Sequence, residues 1–387
     1  MAENARTGKF IESTVVAGES YRSFIPPSLP PNPPLEMSRL YKSLDLANNA
    51  IGRLDGMSMV LPEPSLFLYM YIRKEAVLSS QIEGTQSSLS DLLLFETDEA
   101  PGAPQDDVRE VSCYVKAMYY GLGRLEEFPL SLRLIREIHE QLMTNARGGD
   151  RQPGHFRTSQ NWIGGTRPGN AVYVPPAPEQ LQDCLDNFEK FLHDDSLNLP
   201  ILIKAALAHV QFESIHPFLD GNGRLGRLLI TFILCSEGLL NAPLLYLSLY
   251  FKTHRQTYYD LLQSVRITGD WENWIQFFLD GVAETANQAT LTAQSVISLF
   301  KSNQSLIEKS GKATTSLLSI HNYLQNHPIT SSKSIKEACH VSLPTVLRSL
   351  QTLEKMNIVK EITNKERHKV FVYQEYLTLL NEGPKNK

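Results

Sequence analysis

Residues 216–227 read HPFLDGNGRLGR, and most side chains in this stretch have a chemical use. His216 is its one group whose ordinary pKa lies near neutrality, which suits a general base. Pro217 disfavours helix at the residue before it, so a helix through Lys204–Ile215 must stop there. A DGNG loop follows, and a second helix restarts near Gly223. Two glycines let a ligand approach the backbone, and the exposed N–H groups and dipole of the new helix favour an anion. Arg224 and Arg227 are i, i+3 neighbours on its first turns. Cations are unfavourable at a helix N-terminus, so two of them together predict a bound polyphosphate. Asp220 is a candidate Mg2+ ligand, because that ion takes one or two carboxylates and completes its shell with phosphate oxygens and water. Each feature has an ordinary alternative: a linking turn, a helix cap, solvated arginines. Together within twelve residues they point to a polyphosphate-binding site.

Two other chemistries fail on spacing. His209 and His216 are two helical turns apart, about 10.5 Å of rise, too far to grip one zinc. No GxxxxGK[ST] occurs, so there is no P-loop. A second polar window, SSQIEG (Ser79–Gly84), interrupts an otherwise apolar helical pattern. Glycine is common just past a helix end, and on its own Glu83 reads as a solvated terminal residue.

The elements that must position these groups are mostly helical. Residues 1–35 form a Pro-rich arm, in which PPSLPPNPP should run as polyproline II and strap onto the protein. Residues 36–105 are helical, with a break at Gly84, a restart behind Thr85 as N-cap, and a loop at 98–107. Helical patterns resume over 106–295, one of them capped by Ser131. Within that core the Gly/Pro-rich stretch 147–180 holds two short β-prone runs, NWI and VYV, around GGTRPGNA. They predict a hairpin whose open edge can pair with another chain. Residues 296–312 read as a linker with Gly311 the boundary. Residues 313–387 show helix, helix, helix and hairpin, the order of a winged helix-turn-helix. Residues 313–373 carry eight Lys/Arg against four acids in a chain of net charge −5. Duplex DNA is therefore a candidate partner of the tail alone.

Composition narrows the class. The apolar fraction of 42% and charged fraction of 20% are those of an ordinary globular protein. Cys113, Cys184, Cys235 and Cys339 lie far apart and form no ligand-spaced pair, which fits a reducing compartment. No basic-then-apolar leader is visible, and apolar runs such as LLITFILC are too short for a membrane span. The expectation is a cytoplasmic protein with no membrane partner.

HPFLDGNGRLGR matches the Fic family signature, HxFx(D/E)GNGRxxR, at every defined position. PGHFRTSQNWIGG resembles that family's flap approach, and YYDLLQSVRITGDWENWIQFFL the stretch after its motif. The resemblance covers roughly residues 36–290 and implies a helical core with a β-hairpin flap. It implies protein adenylyltransferase activity, the transfer of AMP from ATP to a Tyr, Thr or Ser hydroxyl of a protein, the chain itself included. By that resemblance His216 is the general base and Asp220 holds Mg2+. Gly221, Asn222 and Gly223 form the anion hole, with Arg224, Leu225, Gly226 and Arg227 completing the nucleotide loop. Phe218 anchors the loop in the core, Ile163 and Gly164 of the flap position the target backbone, and Tyr258 walls the adenine. The intact GNG separates it from relatives that transfer phosphate or phosphocholine.

SSQIEG in turn resembles the inhibitory motif (S/T)xxxE(G/N) of one Fic class, with Ser79, Glu83 and Gly84 at the defined positions. The resemblance implies that Glu83 pairs with Arg227 in place of the ATP γ-phosphate. Two alternatives stand beside this reading: removal of AMP with Glu83 orienting a water, and a DNA-binding regulator in which the Fic core is secondary. A homodimer is compatible with any of them.

Overall fold

The computed structural model describes residues 6–14, 20–60, 64–97, 102–144, 146, 151–311, 315–363 and 369–382. It is mainly helical, with two small antiparallel sheets. The arm contains a hairpin that its composition does not announce, β1 (Lys9–Thr14) against β2 (Ser20–Ile25). The arm does strap onto the protein. Phe24 N–H donates to the Val174 carbonyl at 2.9 Å and the Gln211 amide to that of Pro27 at 2.8 Å. Its proline run bends at 29–30 and 32–33, so it is no unbroken polyproline II helix.

Three helices follow: α1 (Tyr41–Val60), α2 (Pro64–Ile82) and α3 (Leu89–Glu96). Helix α2 stops at Ile82, and Gly84 takes φ +102, a conformation glycine adopts without penalty. Glu83 therefore sits in the turn beyond the helix rather than inside it. The expected cap Thr85 is buried. Ser88 caps α3 instead, in a reciprocal box with Asp91. Next come α4 (Gln105–Leu125), which shortens the expected loop, and α5 (Leu132–Met143), capped by Ser131. Residues 98–101 of that loop lie outside the described set.

The centre of the molecule is a pair of helices. After α6 (Pro178–Leu192), helix α7 (Ile201–Ile215) is buried from Leu202 onward on every face, as an all-round apolar helix must be. Helix α8 (Asn222–Ser236) packs against it, and the loop 216–221 joins the two. Phe212 and Phe218 are fully buried around this joint, each contributing about 2 kcal/mol by apolar burial. Helices α9 (Ser248–Thr253), α10 (Arg255–Thr268) and α11 (Trp271–Lys309) close the far side.

The segment expected to be a linker is largely helix. α11 runs unbroken through Lys309, with Val296, Leu299, Phe300 and Ile307 buried. It ends beneath the C-terminal unit, where Phe300 meets Tyr376 edge-on at 4.9 Å. That unit contains α12 (Thr315–Asn326), β3 (Ile329–Ser331), α13 (Ser332–Cys339), α14 (Leu343–Lys355), β4 (Lys360–Glu361), β5 (Val370–Val372) and α15 (Gln374–Glu382). The sheet order β3-β5-β4 behind the helices is a winged helix-turn-helix, with β3 and α15 in addition to the expected elements. The wing tip, residues 364–368, lies outside the described residues.

The flap is shorter than a two-stranded hairpin. A single bridge pairs Ile163 with Tyr173, and a 3-10 turn occupies Pro168–Asn170. Gly164 and Gly165 both have positive φ, and the Asn170 side chain accepts from the N–H groups of Thr166 and Arg167. That turn chemistry closes the ribbon before a longer ladder can form.

Candidate functional site

Pro217 and two left-handed residues shape the loop. His216 ends α7 with φ 49, ψ 61, and Gly221 begins α8 with φ 77, ψ 1. A Cβ on Gly221 would come within 2.7 Å of Met143 Sδ. The Asn222 side chain is committed to the loop: its Oδ1 accepts from Phe218 N–H at 2.9 Å and its Nδ2 donates to the Phe218 carbonyl at 2.8 Å. The N-cap residue Gly221 has no side chain to cap α8, and the N-terminal turn faces a cavity of about 320 Å³. Glu83, Glu110, His216, Asp220 and residues 221–224 line that cavity.

Four side chains carry the electrostatics. Arg227, 2% exposed, donates from Nη2 to Glu83 Oε1 at 2.6 Å and to the Ser79 carbonyl at 3.0 Å. Its Nε donates to Ser79 Oγ at 2.8 Å. Glu83 is 36% exposed and lies over the Gly223 Cα, where any Cβ would collide with its carboxylate. An acid is favourable at this helix N-terminus. Burial works to raise the Glu83 pKa, but the charge and hydrogen bond of Arg227, with the charge of Arg224, together outweigh it and the net shift is downward. Arg224 is buried and pairs with Glu110 Oε1 at 2.8 Å. Burial, with Arg266 and Arg157 adding to it, pushes the His216 imidazole down to about 3, so in the free protein it is neutral.

Comparison with known proteins fits this geometry. Residues 41–123 match the model described as Fic/DOC family N-terminal, and residues 129–234 the Fic/DOC family model itself. Residues 129–234 are a Fic/DOC family domain. Residues 302–360 match a winged helix-turn-helix DNA-binding model. Protein adenylyltransferase Fic of Aedes aegypti is 31% identical over 251 residues, 63% of this chain and 46% of that protein. The chain thus spans less than half the length of that curated relative. A Fic family protein from Desulfovibrio desulfuricans G20 shares the fold at TM-score 0.54 and 19% identity, over 86% of this chain and 95% of its own. Fic-1 from C. elegans does so at TM-score 0.51 and 24% identity, over 67% and 72%.

Within this Fic domain the expected site residues divide. Glu83, Ser79, His216, Asp220, Gly221, Asn222, Gly223, Arg224 and Arg227 converge on one place, and Gly84 makes the turn that aims Glu83 there. Asn222 lines the cavity while its side chain braces the loop. Tyr258 does not wall the cavity. It is fully buried, its hydroxyl 2.8 Å from His209 Nε2 and its ring stacked on Phe251. Leu225 is core, and the Gly226 carbonyl lies 3.0 Å from His209 Nδ1, so neither reaches the cavity. Ile163 and Gly164 are exposed on the flap, outside the cavity lining.

Several residues at the site escape the sequence reading. Glu110 of α4 pairs with Arg224, and Tyr259, half exposed beside Tyr258, is held above its ordinary pKa by burial and by the charge of Glu83. His139 of α5 stacks on Phe218 at 3.7 Å. Its Nδ1 accepts from Gly154 N–H, so Nε2 carries the proton and donates to the Asp220 carbonyl at 3.0 Å. Glu213, buried behind the loop, is pushed up to about 7 by burial against the pull of Arg227. A buried acid or histidine on a distant helix leaves only its periodicity as a signal, and periodicity does not name its partner.

Proposed function

We propose that the chain is a protein adenylyltransferase restrained by its own Glu83. The observation that carries this reading is the Glu83–Arg227 ion pair set over the uncapped start of α8. A carboxylate held by a buried arginine at a helix N-terminus stands where a phosphate would be bound. When Glu83 leaves, Arg227 and the N–H groups of Asn222 and Gly223 are open to the ATP phosphates, while the Gly221 N–H donates to Asp220 Oδ1 and Arg224 remains beside them on Glu110.

The step is an in-line transfer. His216 takes the proton of a target hydroxyl as the oxygen bonds to the α-phosphorus. The bond from that phosphorus to the β-bridging oxygen breaks, and pyrophosphate departs. The low basicity of His216 suits the free protein, and the phosphates of bound ATP would raise it where a proton must be taken. Among the described residues no group of three or more His, Cys, Asp or Glu converges on a metal site. Asp220 at the cavity edge fits Mg2+ in the way that ion favours, one carboxylate with phosphate oxygens and water for the rest. Mg2+ bound there would neutralise phosphate charge. Positioning and electrostatics then do most of the work, a single general base contributing about 10²–10⁴-fold.

The substrate is a protein carrying an exposed hydroxyl side chain near the flap. The deciding experiment offers α-labelled or γ-labelled ATP to Glu83→Gly, with His216→Ala in the same background as control. Transfer of α-label alone, abolished without His216, is expected; γ-label transfer means a kinase and rejects the reading. DNA contact by the tail is a second function supported by the winged-helix match, with Lys333, Lys336 and Arg348 exposed on α13 and α14.

A further inference from the structure

His216 holds a backbone conformation that its neighbours in sequence oppose. Left-handed φ, ψ costs an ordinary residue about 1–2 kcal/mol, and a following proline steers the residue before it toward extended chain. The last carbonyls of α7 also need donors from outside the helix. The structure supplies both from one place. Arg157, 2% exposed at the root of the flap, donates from Nε to the His216 carbonyl at 2.9 Å and from Nη2 to that of Ile215 at 3.4 Å. Its backbone N–H donates to the Pro217 carbonyl at 2.9 Å, and Nη2 also reaches the Pro176 carbonyl at 2.5 Å.

The carbonyls on either side are held as well. Tyr173 Oη donates to Ser214 at 2.5 Å, Arg266 Nη2 to Glu213 at 3.2 Å, and Asn161 Nδ2 to Phe218 at 2.9 Å. Six consecutive carbonyls, from Glu213 to Phe218, thus accept from side chains or from the Arg157 N–H, most of them at the flap root. Arg266 lies over the Tyr173 ring at 3.9 Å, which locks the two donors together.

We infer that the flap root, with Arg157 as its centre and Tyr173 beside it, is a positioning device that fixes His216 in its left-handed pose for proton abstraction. This rests on the transfer reaction proposed above. The consequence is mechanical: a target seated on the flap is registered against the base through one side chain. Burial lowers the basicity of the His216 imidazole most, the Arg266 and Arg157 cations add to it, and the Glu83 carboxylate and a hydrogen bond to the Glu213 backbone oppose it. Arg157 and Tyr173 act through His216, and neither lines the cavity.

The test uses the full chain with Glu83→Gly as parent. Both variants keep the backbone N–H; Arg157→Lys keeps the charge but loses the planar fork, and Arg157→Gln loses charge and fork together. Tyr173→Phe keeps the ring under Arg266 and removes only the bond to Ser214. In Arg157→Lys, kcat should fall about 100-fold, the scale of an ångström-level misplacement. KM for ATP should stay within about threefold, because the phosphate-binding groups are untouched. Tyr173→Phe should lower kcat about tenfold by the same logic. His216, followed by NMR on histidine-labelled protein and assigned with His216→Ala, should titrate at higher pH in Arg157→Gln than in the parent. Should the parent transfer no label, the transfer reading fails and the NMR titration alone decides this inference. Folded variants with unchanged kcat, or a His216 titration unmoved in Arg157→Gln where the parent is inactive, overturn it. If the Arg157 variants do not fold, an unchanged kcat in Tyr173→Phe, or His216 ring signals unmoved in that variant where the parent is inactive, does the same.

Discussion

Removing the Glu83 carboxylate should move stability and nucleotide binding in opposite directions. In the free protein Arg227 is served by Glu83 at 2.6 Å and by two bonds to Ser79 at 2.8 and 3.0 Å. Glu83→Gly leaves the buried guanidinium with Ser79 alone. Orphaning one member of a buried ion pair costs about 3–5 kcal/mol. Glu83 is 36% exposed, however, so solvent already carries part of the interaction. The cost is discounted to about 1–2 kcal/mol. For a chain of this size that lowers Tm by roughly 1–3 °C without ligand. With ATP present the sign reverses, because the carboxylate no longer competes for Arg227. A charge-assisted hydrogen bond of about 1.5–3 kcal/mol passes to the phosphate, which corresponds to about 10–150-fold tighter binding. Ligand stabilisation grows with the logarithm of that gain. Thermal melts of wild type and Glu83→Gly across an ATP·Mg2+ series, with calorimetric Kd values, read both arms. Glu83→Gln, which keeps the length and loses the charge, should fall between them. Equal ATP-induced shifts in wild type and Glu83→Gly would refute the claim that Glu83 occupies the phosphate position.

The remaining predictions concern protonation, the loop and the tail. Burial holds His139, His209, His216 and His321 neutral, at about 4, 3, 3 and 4, whereas the unfolded chain protonates them below about 6.5. Over that window the unfolded state binds more protons, so stability rises with pH. Glu75 and Glu213, raised by burial to about 7, act with the opposite sign between their ordinary value and 7, and the four histidines outnumber them. Urea midpoints should therefore be higher at pH 6.5 than at pH 5, and the reverse order refutes this. The Glu83 carboxyl is shifted down, so its restraint is complete above the ordinary carboxyl value and is lost only as pH falls below it; transfer by wild type should show no acid-released burst between pH 5 and 8. Gly221→Ala must place a Cβ at φ 77 near Met143 Sδ and should cost about 1–2 kcal/mol in a melt; an unchanged Tm would contradict the assigned conformation. Full-length protein should bind duplex DNA with an affinity that falls steeply with salt, and Arg348→Ala should flatten that dependence by about one counterion; a salt-independent interaction would point to a protein partner.

The legible part of this site is the part written in side chains that are close in sequence. The run from His216 to Arg227 states its turn, its helix start and its cations directly, because glycine, proline and arginine each carry a distinct backbone or charge requirement. Glu83 is legible only beside Arg227, 144 positions away, and the ion pair between them is present in the fold. Neighbouring positions defeat the reading for a geometric reason. Tyr258 and Tyr259 are adjacent on α10 and point about 100° apart, so one is core and the other half exposed, and nothing in the pair YY says which. Leu225 and Gly226 occupy positions of the run where no chemistry is specified, and the helix turns them into the core. The same argument applies to α11, whose polar residues 302–304 resemble a linker although its apolar stripe continues to Ile307. The deepest limit is at the flap root. Arg157, Tyr173 and Asn161 recognise carbonyl groups, which every residue carries alike, so no residue type in 213–218 can advertise its partner. A side chain positioned through its backbone therefore leaves no trace of its partners in the sequence, however conspicuous the residue itself.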